Sequence, residues 1–290
     1  MMIPARDHSL RLLTACLVLG CLQLWGCQAP PETVSVAPED YLRICSVQNK
    51  RASIFRILES SGTIELRQSS DDGSSFDSCN LDLWRDQGNF ALRLRKFGER
   101  FLWVGSDGTS WWVFELAADP SRLVVLPMDV QGAVGLGTQE SVLGPRKLLQ
   151  MSGLLPLDPE ASVEKLQSTD DGLIAFEITS EVPGEWDRMR WEVDPKRLLP
   201  RRISAVNSDG SVELVATLKG YEPIPARDLP IGAWPQFARK VFIKDASGAT
   251  DVRLFFNKPN SRGERIKPGL FDLQRLINTF KPSKVEYIAE

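Results

Sequence analysis

Histidine is all but missing. The chain carries one, His8, within an N-terminal stretch that reads as an export signal. A body without imidazole excludes Ser-His-Asp and Cys-His nucleophiles, HExxH zinc sites and mixed Cys/His metal clusters, and neither metal nor cofactor is expected. Concentrated charge is missing too. The 35 Lys and Arg against 38 Asp and Glu leave a net charge of −3, with no basic run, so there is no nucleic-acid footprint. Carboxylate-only catalysis is left with acid pairs such as Asp71-Asp72 and Asp170-Asp171. Both pairs precede glycine, the setting of solvated hairpin tips, and the chain reads as non-enzymatic.

Long apolar runs are scarce. The run from Leu10 to Trp25 is interrupted by Gly20 and Gln23 and is too short to span a bilayer. Arg6 and Arg11 flank its start and Leu24-Trp25-Gly26-Cys27 closes it, the pattern of a lipoprotein signal cleaved before a cysteine that then carries lipid. Cys27 is the expected lipidation site. Val18-Leu19-Gly20-Cys21 offers Cys21 as the alternative, which would leave apolar Leu22, Leu24 and Trp25 in the tether. A secretory signal cleaved elsewhere and an uncleaved anchor are the other readings. The expected organisation is a signal over 1–26, a polar, Pro-rich tether over 27–39 and one domain over 40–290. Such a protein is lipid-anchored in the cell envelope and faces the periplasm. Gln28, where inner-membrane lipoproteins of enterobacteria carry aspartate, favours the outer membrane.

Cysteine is sparse beyond the signal, where besides Cys27 only Cys45 and Cys79 remain. An oxidising compartment makes them a candidate disulfide between an N-terminal helix and the second strand. Two buried free thiols are the alternative.

The hydrophobic period organises the rest. Tyr41, Ile44/Cys45, Ala52, Phe55 and Leu58 follow a helical stripe that Ser60-Ser61-Gly62 should stop. The period then becomes two, in segments over 63–68, 76–85, 90–95, 100–105, 110–116 and 122–126, divided by turns such as Lys96-Phe97-Gly98 and Asp107-Gly108. Residues 128–144 form a Gly-rich connection. Pro145 opens a short helix to Leu155, and strands resume over 173–179, 188–193, 200–207, 212–221, 240–244 and 251–256. Phe271, Leu273, Leu276, Ile277 and Phe280 mark a last helical face before Pro282. Without βαβ alternation, the expected fold is mainly β: a single antiparallel sheet of about eleven strands curled into an open half barrel and capped by a few helices. One apolar face under helices from 40–58, 145–155 and 269–280 either packs solid or leaves a cavity for an apolar ligand. Trp103, Trp111, Trp112, Trp186 and Trp191 lie in or beside strands, where ordinary core is their default role.

The segments NFALRLRKFGERFLWVGSDG from Asn89, RKLLQMSGLLPLDP from Arg146, WEVDPKRLLPRRISAVNSDGSVELVATLKGY from Trp191 and RKVFIKDASGATDVRLFF from Arg239 resemble the LolA/LolB family of bacterial lipoprotein carriers and outer-membrane lipoprotein receptors. The resemblance implies an open β-barrel whose apolar concave side holds the acyl chains of a lipid or lipoprotein, with a periplasmic carrier protein as a partner. Candidate lining residues are Leu81, Leu83, Phe90, Leu92, Leu94, Phe101 and Trp103, with the inward parity left open. The receptor branch carries a protruding apolar residue in the turn between the third and fourth strands that engages the membrane, and Phe97 matches it. A structural lipoprotein with a filled barrel and exposed edge strands is the rival reading.

Overall fold

The computed structural model describes residues 36–70, 73–127, 145–179, 186–248 and 250–288. The expected signal, Cys21, Cys27, Gln28, Asp71, Asp72 and the 128–144 connection lie outside the described residues.

The first helix, α1 (Pro38–Ile54), starts two residues inside the expected tether. Proline at its first turn needs no N–H partner, and the Ala37 N–H donates to Asp40 Oδ2 at 3.0 Å. Tyr41, Ile44, Cys45, Gln48, Arg51 and Ala52 form its buried stripe. It stops at Ile54, not at Leu58, and the expected stop signal lies inside strand β1 (Ile57–Ser70). The alternation there is real but disguised. Leu58, Ser60, Gly62 and Ile64 are buried in turn, so two of the inward positions carry small residues that no hydrophobicity pattern registers. Gly62 is required by contact, because a Cβ there would sit 2.0 Å from the Phe255 carbonyl oxygen on the neighbouring strand.

From β1 the chain runs outward through hairpins β2 (Gly73–Asp86), β3 (Asn89–Lys96), β4 (Glu99–Ser106), β5 (Ser110–Glu115) and β6 (Arg122–Pro127). Helix α2 (Pro145–Met151) then leads to β7 (Val163–Ser168) at the far edge. The chain returns through β8 (Ile174–Thr179), β9 (Arg188–Val193), β10 (Pro200–Val206), β11 (Val212–Pro223), β12 (Gln236–Asp245) and β13 (Thr250–Asn260), which pairs with β1. Helix α3 (Leu273–Phe280) and β14 (Lys284–Tyr287) complete the described chain. The strand order is β14-β6-β5-β4-β3-β2-β1-β13-β12-β11-β10-β9-β8-β7, one open sheet of fourteen strands among the described residues. Every pairing is antiparallel except β14 with β6. The mainly β, open-sheet expectation holds, with a larger strand count. The strands that sequence reading missed are the two edges, β7 and β14, which have one neighbour each and little burial to impose a period.

The sheet has two cores. On its inner face, Leu81, Leu83, Phe90, Leu92, Leu94, Leu102, Val104, Phe176, Trp191, Ile203, Leu218, Val241 and Leu254 form one apolar cluster with Tyr41 and Ile44 of α1 and Leu148 and Leu149 of α2. On the outer face of β2–β6, Trp84, Trp103, Trp112, Phe114 and Leu123 pack beneath Phe271, Leu276 and Phe280 of the C-terminal segment. Asp272 caps α3 by accepting the Arg275 N–H at 2.9 Å. Among the described residues the outer face of β8–β10 has no such apolar cover and is ionic instead. Glu177 meets Lys165 at 2.9 Å and Arg188 at 3.3 Å, and Glu192 meets Arg202 at 2.5 Å.

Cys45 and Cys79 are both buried free thiols. The expected disulfide is not formed in this structure, where the two side chains have different surroundings: Cys45 bonds with Tyr41 near Asp158, and Cys79 lies near Asp77 and Lys96. Burial pushes both thiols above their ordinary pKa.

Candidate ligand-binding cavity

The segment after α2 has no regular structure and is held in place by α1. Gln48 donates through Nε2 to the carbonyl oxygens of Gly153 at 3.0 Å and Leu155 at 2.6 Å. Asn49 donates to Leu157 O at 2.8 Å and accepts the Leu157 N–H at 2.7 Å, and the Tyr41 hydroxyl donates to Asp158 O at 2.5 Å. From the sheet, Arg85 Nη1 donates to Leu154 O at 3.1 Å. Residues 153–158 thus form a fixed wall standing off the inner face.

Between that wall, α2 and the sheet lies a cavity of about 530 Å³, within the range of small-ligand sites. Its apolar lining includes Phe90, Leu149, Leu155, Ile178, Met189 and Trp191. Its charged lining is Arg85, Arg146 and Asp158. Arg146 and Asp158 are exposed and form the rim, whereas Arg85 is only 8 % exposed. Burial, with Arg56 nearby, pulls the Arg85 guanidinium down to about 10, so it remains cationic at neutral pH. The other deeply buried arginine, Arg51, is differently placed: it donates to Gln236 O and Gln48 Oε1 and lies over the Phe55 and Tyr221 rings.

Of the seven lining candidates, Phe90 borders the cavity. Leu81, Leu83, Leu92 and Leu94 share its face but are packed into the solid part of the inner core. Phe101 is half-buried at the rim of that core. Trp103 points to the opposite face, stacked on Trp84 with ring centroids 6.0 Å apart. The two part company because β4 carries an extra residue: Leu94 pairs with Leu102 and Arg95 with Arg100, which leaves Phe101 unpaired in that ladder. The lining residues that sequence reading missed lie on β8, β9 and around α2. Arg85 was visible, since it extends the inward alternation of Leu81 and Leu83 by one step and puts a cation where an apolar residue belongs.

Phe97 is 95 % exposed in the two-residue turn between β3 and β4. Phe97 and Gly98 have φ of 53° and 87°, the left-handed pair of a type I′ hairpin turn, which phenylalanine adopts only under strain. The basic residues around it are largely engaged. Lys96 pairs with Asp77, Arg95 with Asp82 at 3.1 Å, and Arg100 lies over the Phe280 ring. Among the described residues there is no cluster of His, Cys, Asp and Glu fit for a metal ion, and no helix is long and apolar enough to cross a membrane.

No family model matches the sequence, and no curated protein matches it. Solved structures do share its architecture. A domain named for outer membrane lipoprotein sorting, from Vibrio parahaemolyticus, superposes with a TM-score of 0.55 at 12 % identity, over 84 % of this chain and 100 % of that one. A DUF1329 family protein from Desulfovibrio piger gives 0.54 at 12 % identity, over 81 % and 98 %. A LolA superfamily protein from Nitrosomonas europaea gives 0.50 at 13 % identity, over 79 % and 97 %. The likeness at such identities is one of fold: this chain shares the fold of the lipoprotein-sorting domain and of the LolA superfamily protein.

Proposed function

We propose that the protein is a lipid-anchored envelope protein that takes acyl chains of a lipid or lipoprotein into the cavity beneath residues 153–158, in the service of lipid or lipoprotein transfer. The observation that carries this reading is the apolar-lined cavity itself, on the inner face of a fold shared with a domain named for lipoprotein sorting. Transfer of this kind needs no bond making. Burial of each methylene offsets about 0.8 kcal/mol of the cost of extraction from a bilayer. Cys27 is the proposed point of lipid attachment and Phe97 the proposed membrane contact, supported by its near-complete exposure on a stiff hairpin. The site is proposed to face the periplasm from the outer membrane and to receive its cargo from a periplasmic carrier.

Native mass spectrometry of the full-length protein isolated from a bacterial host, followed by lipid extraction, tests the reading. A stoichiometric co-purifying lipid or acylated peptide is expected. Protein that is bare, and stays bare after incubation with envelope lipids and lipoproteins, overturns it. That result would favour the second reading, an interaction scaffold, for which the solid packing of most of the inner face already speaks.

A further inference from the structure

Arg85 is anomalous among the buried groups of this protein. Its guanidinium has five N–H donors, yet among the described residues its one hydrogen bond is to Leu154 O and no carboxylate forms an ion pair with it. The charged group that acts on it is Arg56, of the same sign. A desolvated cation without a counter-charge is costly, and other arginines of the sheet avoid that state: Arg93 is paired with Asp82 and Arg122 with Glu115. The same cavity wall holds two further unsatisfied groups. Trp191, 2 % exposed and stacked on Phe176, has a buried Nε1–H with no acceptor. Gln150 has a buried Oε1 with no donor, and a half-turn of its amide presents N–H in its place. The one buried charge of the lining is the Arg85 cation, and the one acidic lining group, Asp158, lies at the exposed rim.

The geometry points to a head-group site on the Arg85 side of the cavity, in which Arg85 holds the carboxylate of a single-chain fatty acid while Phe90, Ile178, Met189, Trp191 and Leu155 line the path of its chain. This rests on the lipid-binding reading above and adds the ligand's polarity, direction and size. A planar carboxylate matches the guanidinium fork through two parallel bonds, and one negative charge neutralises the one buried cation. At about 30 Å³ per water-sized group, the cavity has room for on the order of 18 non-hydrogen atoms, the content of one long acyl chain with its carboxylate. The head group enters first, toward the buried positive charge and away from Asp158.

The test is competition for the cavity of the full-length protein, read by displacement of a fluorescent fatty acid, with palmitic acid, methyl palmitate, hexadecanol and dipalmitoyl phosphatidylglycerol as probes. Palmitic acid should bind roughly ten- to a hundredfold more tightly than its methyl ester or the alcohol, the scale of a charge-assisted hydrogen-bond pair. Arg85→Met should remove that preference while apolar binding persists, and Arg85→Lys should restore part of it. Equal binding of acid, ester and alcohol to the unmodified protein overturns the head-group site and leaves the lipid-binding reading standing. Preference for the phosphatidylglycerol overturns the fatty-acid assignment. Failure of every probe, the fluorescent one included, overturns the lipid-binding reading itself.

Discussion

Asn49 and Leu157 bond each other twice: the Asn49 side chain donates to the Leu157 carbonyl at 2.8 Å and accepts the Leu157 amide at 2.7 Å across 108 positions of sequence. One carboxamide thereby gives a loop residue the same pair of bonds it would find in a strand. The cavity wall depends on this and on the neighbouring bonds from Gln48 and Tyr41.

Replacing Asn49 with alanine should loosen that wall locally. Each bond contributes roughly 1 kcal/mol net, so a loss of about 1–3 kcal/mol is expected. In hydrogen exchange, amides of residues 153–158 should lose protection while β8–β12 keep theirs; uniform loss across the sheet would contradict a local wall.

Gly62→Ala should be among the most damaging small substitutions. The added methyl meets the Phe255 carbonyl at 2.0 Å, and because this is backbone, β1 and β13 must separate. A loss on the order of 2 kcal/mol or more is expected in urea denaturation, and a change below about 0.5 kcal/mol would show that the strands are not so close.

Phe97→Asn separates folding from membrane contact. Asparagine tolerates positive φ better than phenylalanine, and the lost side chain is almost fully exposed, so thermal stability should hold or rise slightly. Association with vesicles containing phosphatidylglycerol should fall. Undiminished association would remove Phe97 from the membrane contact.

Phe280→Ala should disturb the outer core without touching the cavity. The ring lies 5.5 Å from Trp103 and 5.1 Å from Phe114, centroid to centroid, and its loss should cost up to about 3–5 kcal/mol, the range for large aromatic deletions. Tryptophan emission should shift to the red while fatty-acid binding stays unchanged. Loss of binding in a still-folded variant would show that the two faces are coupled.

Asp251 gives a pH dependence. Its hydrogen bonds from Arg253, opposed by burial, hold its carboxyl below the ordinary range. A depressed folded pKa adds stability above the unfolded value near 3.9, and that stability is lost as pH falls through the folded value. Asp251→Asn should therefore cost about 0.5–1 kcal/mol at pH 7, as expected of a partly exposed pair, and less at pH 3. A cost that does not shrink in acid would mean the ion pair is not its source.

The hairpins on both halves of the sheet could be read from sequence because apolar and polar residues alternate there and turn residues such as Asp107-Gly108 and Ser208-Asp209-Gly210 separate them. The first half of β1 could not, because Ser60 and Gly62 stand at inward positions next to Phe55 and Leu58, whose spacing suits a helix equally well. Phe101 and Trp103 share a parity along the sequence, which leaves their direction open, and a one-residue bulge turns the two to opposite faces. The wall over 153–158 carries no local pattern. Its conformation is set by Tyr41, Gln48 and Asn49, more than a hundred residues away, and periodicity within a segment holds no trace of such partners. Arg85 is the instructive case, since its parity was legible and its lack of a partner emerged only when the cavity was assembled.

The pairing of β1 with β13 joins two meanders, each built from sequence-adjacent hairpins. Local pairings form quickly, and a contact between residues about two hundred positions apart forms late. During synthesis, β1 therefore stays uncovered until the last long strand arrives. A chain cut short before Gln236 would carry β1, fourteen residues long, as a raw edge in addition to the short ones the finished sheet tolerates. The same strand that sits at the centre of the mature sheet is then the segment most exposed to intermolecular pairing and aggregation.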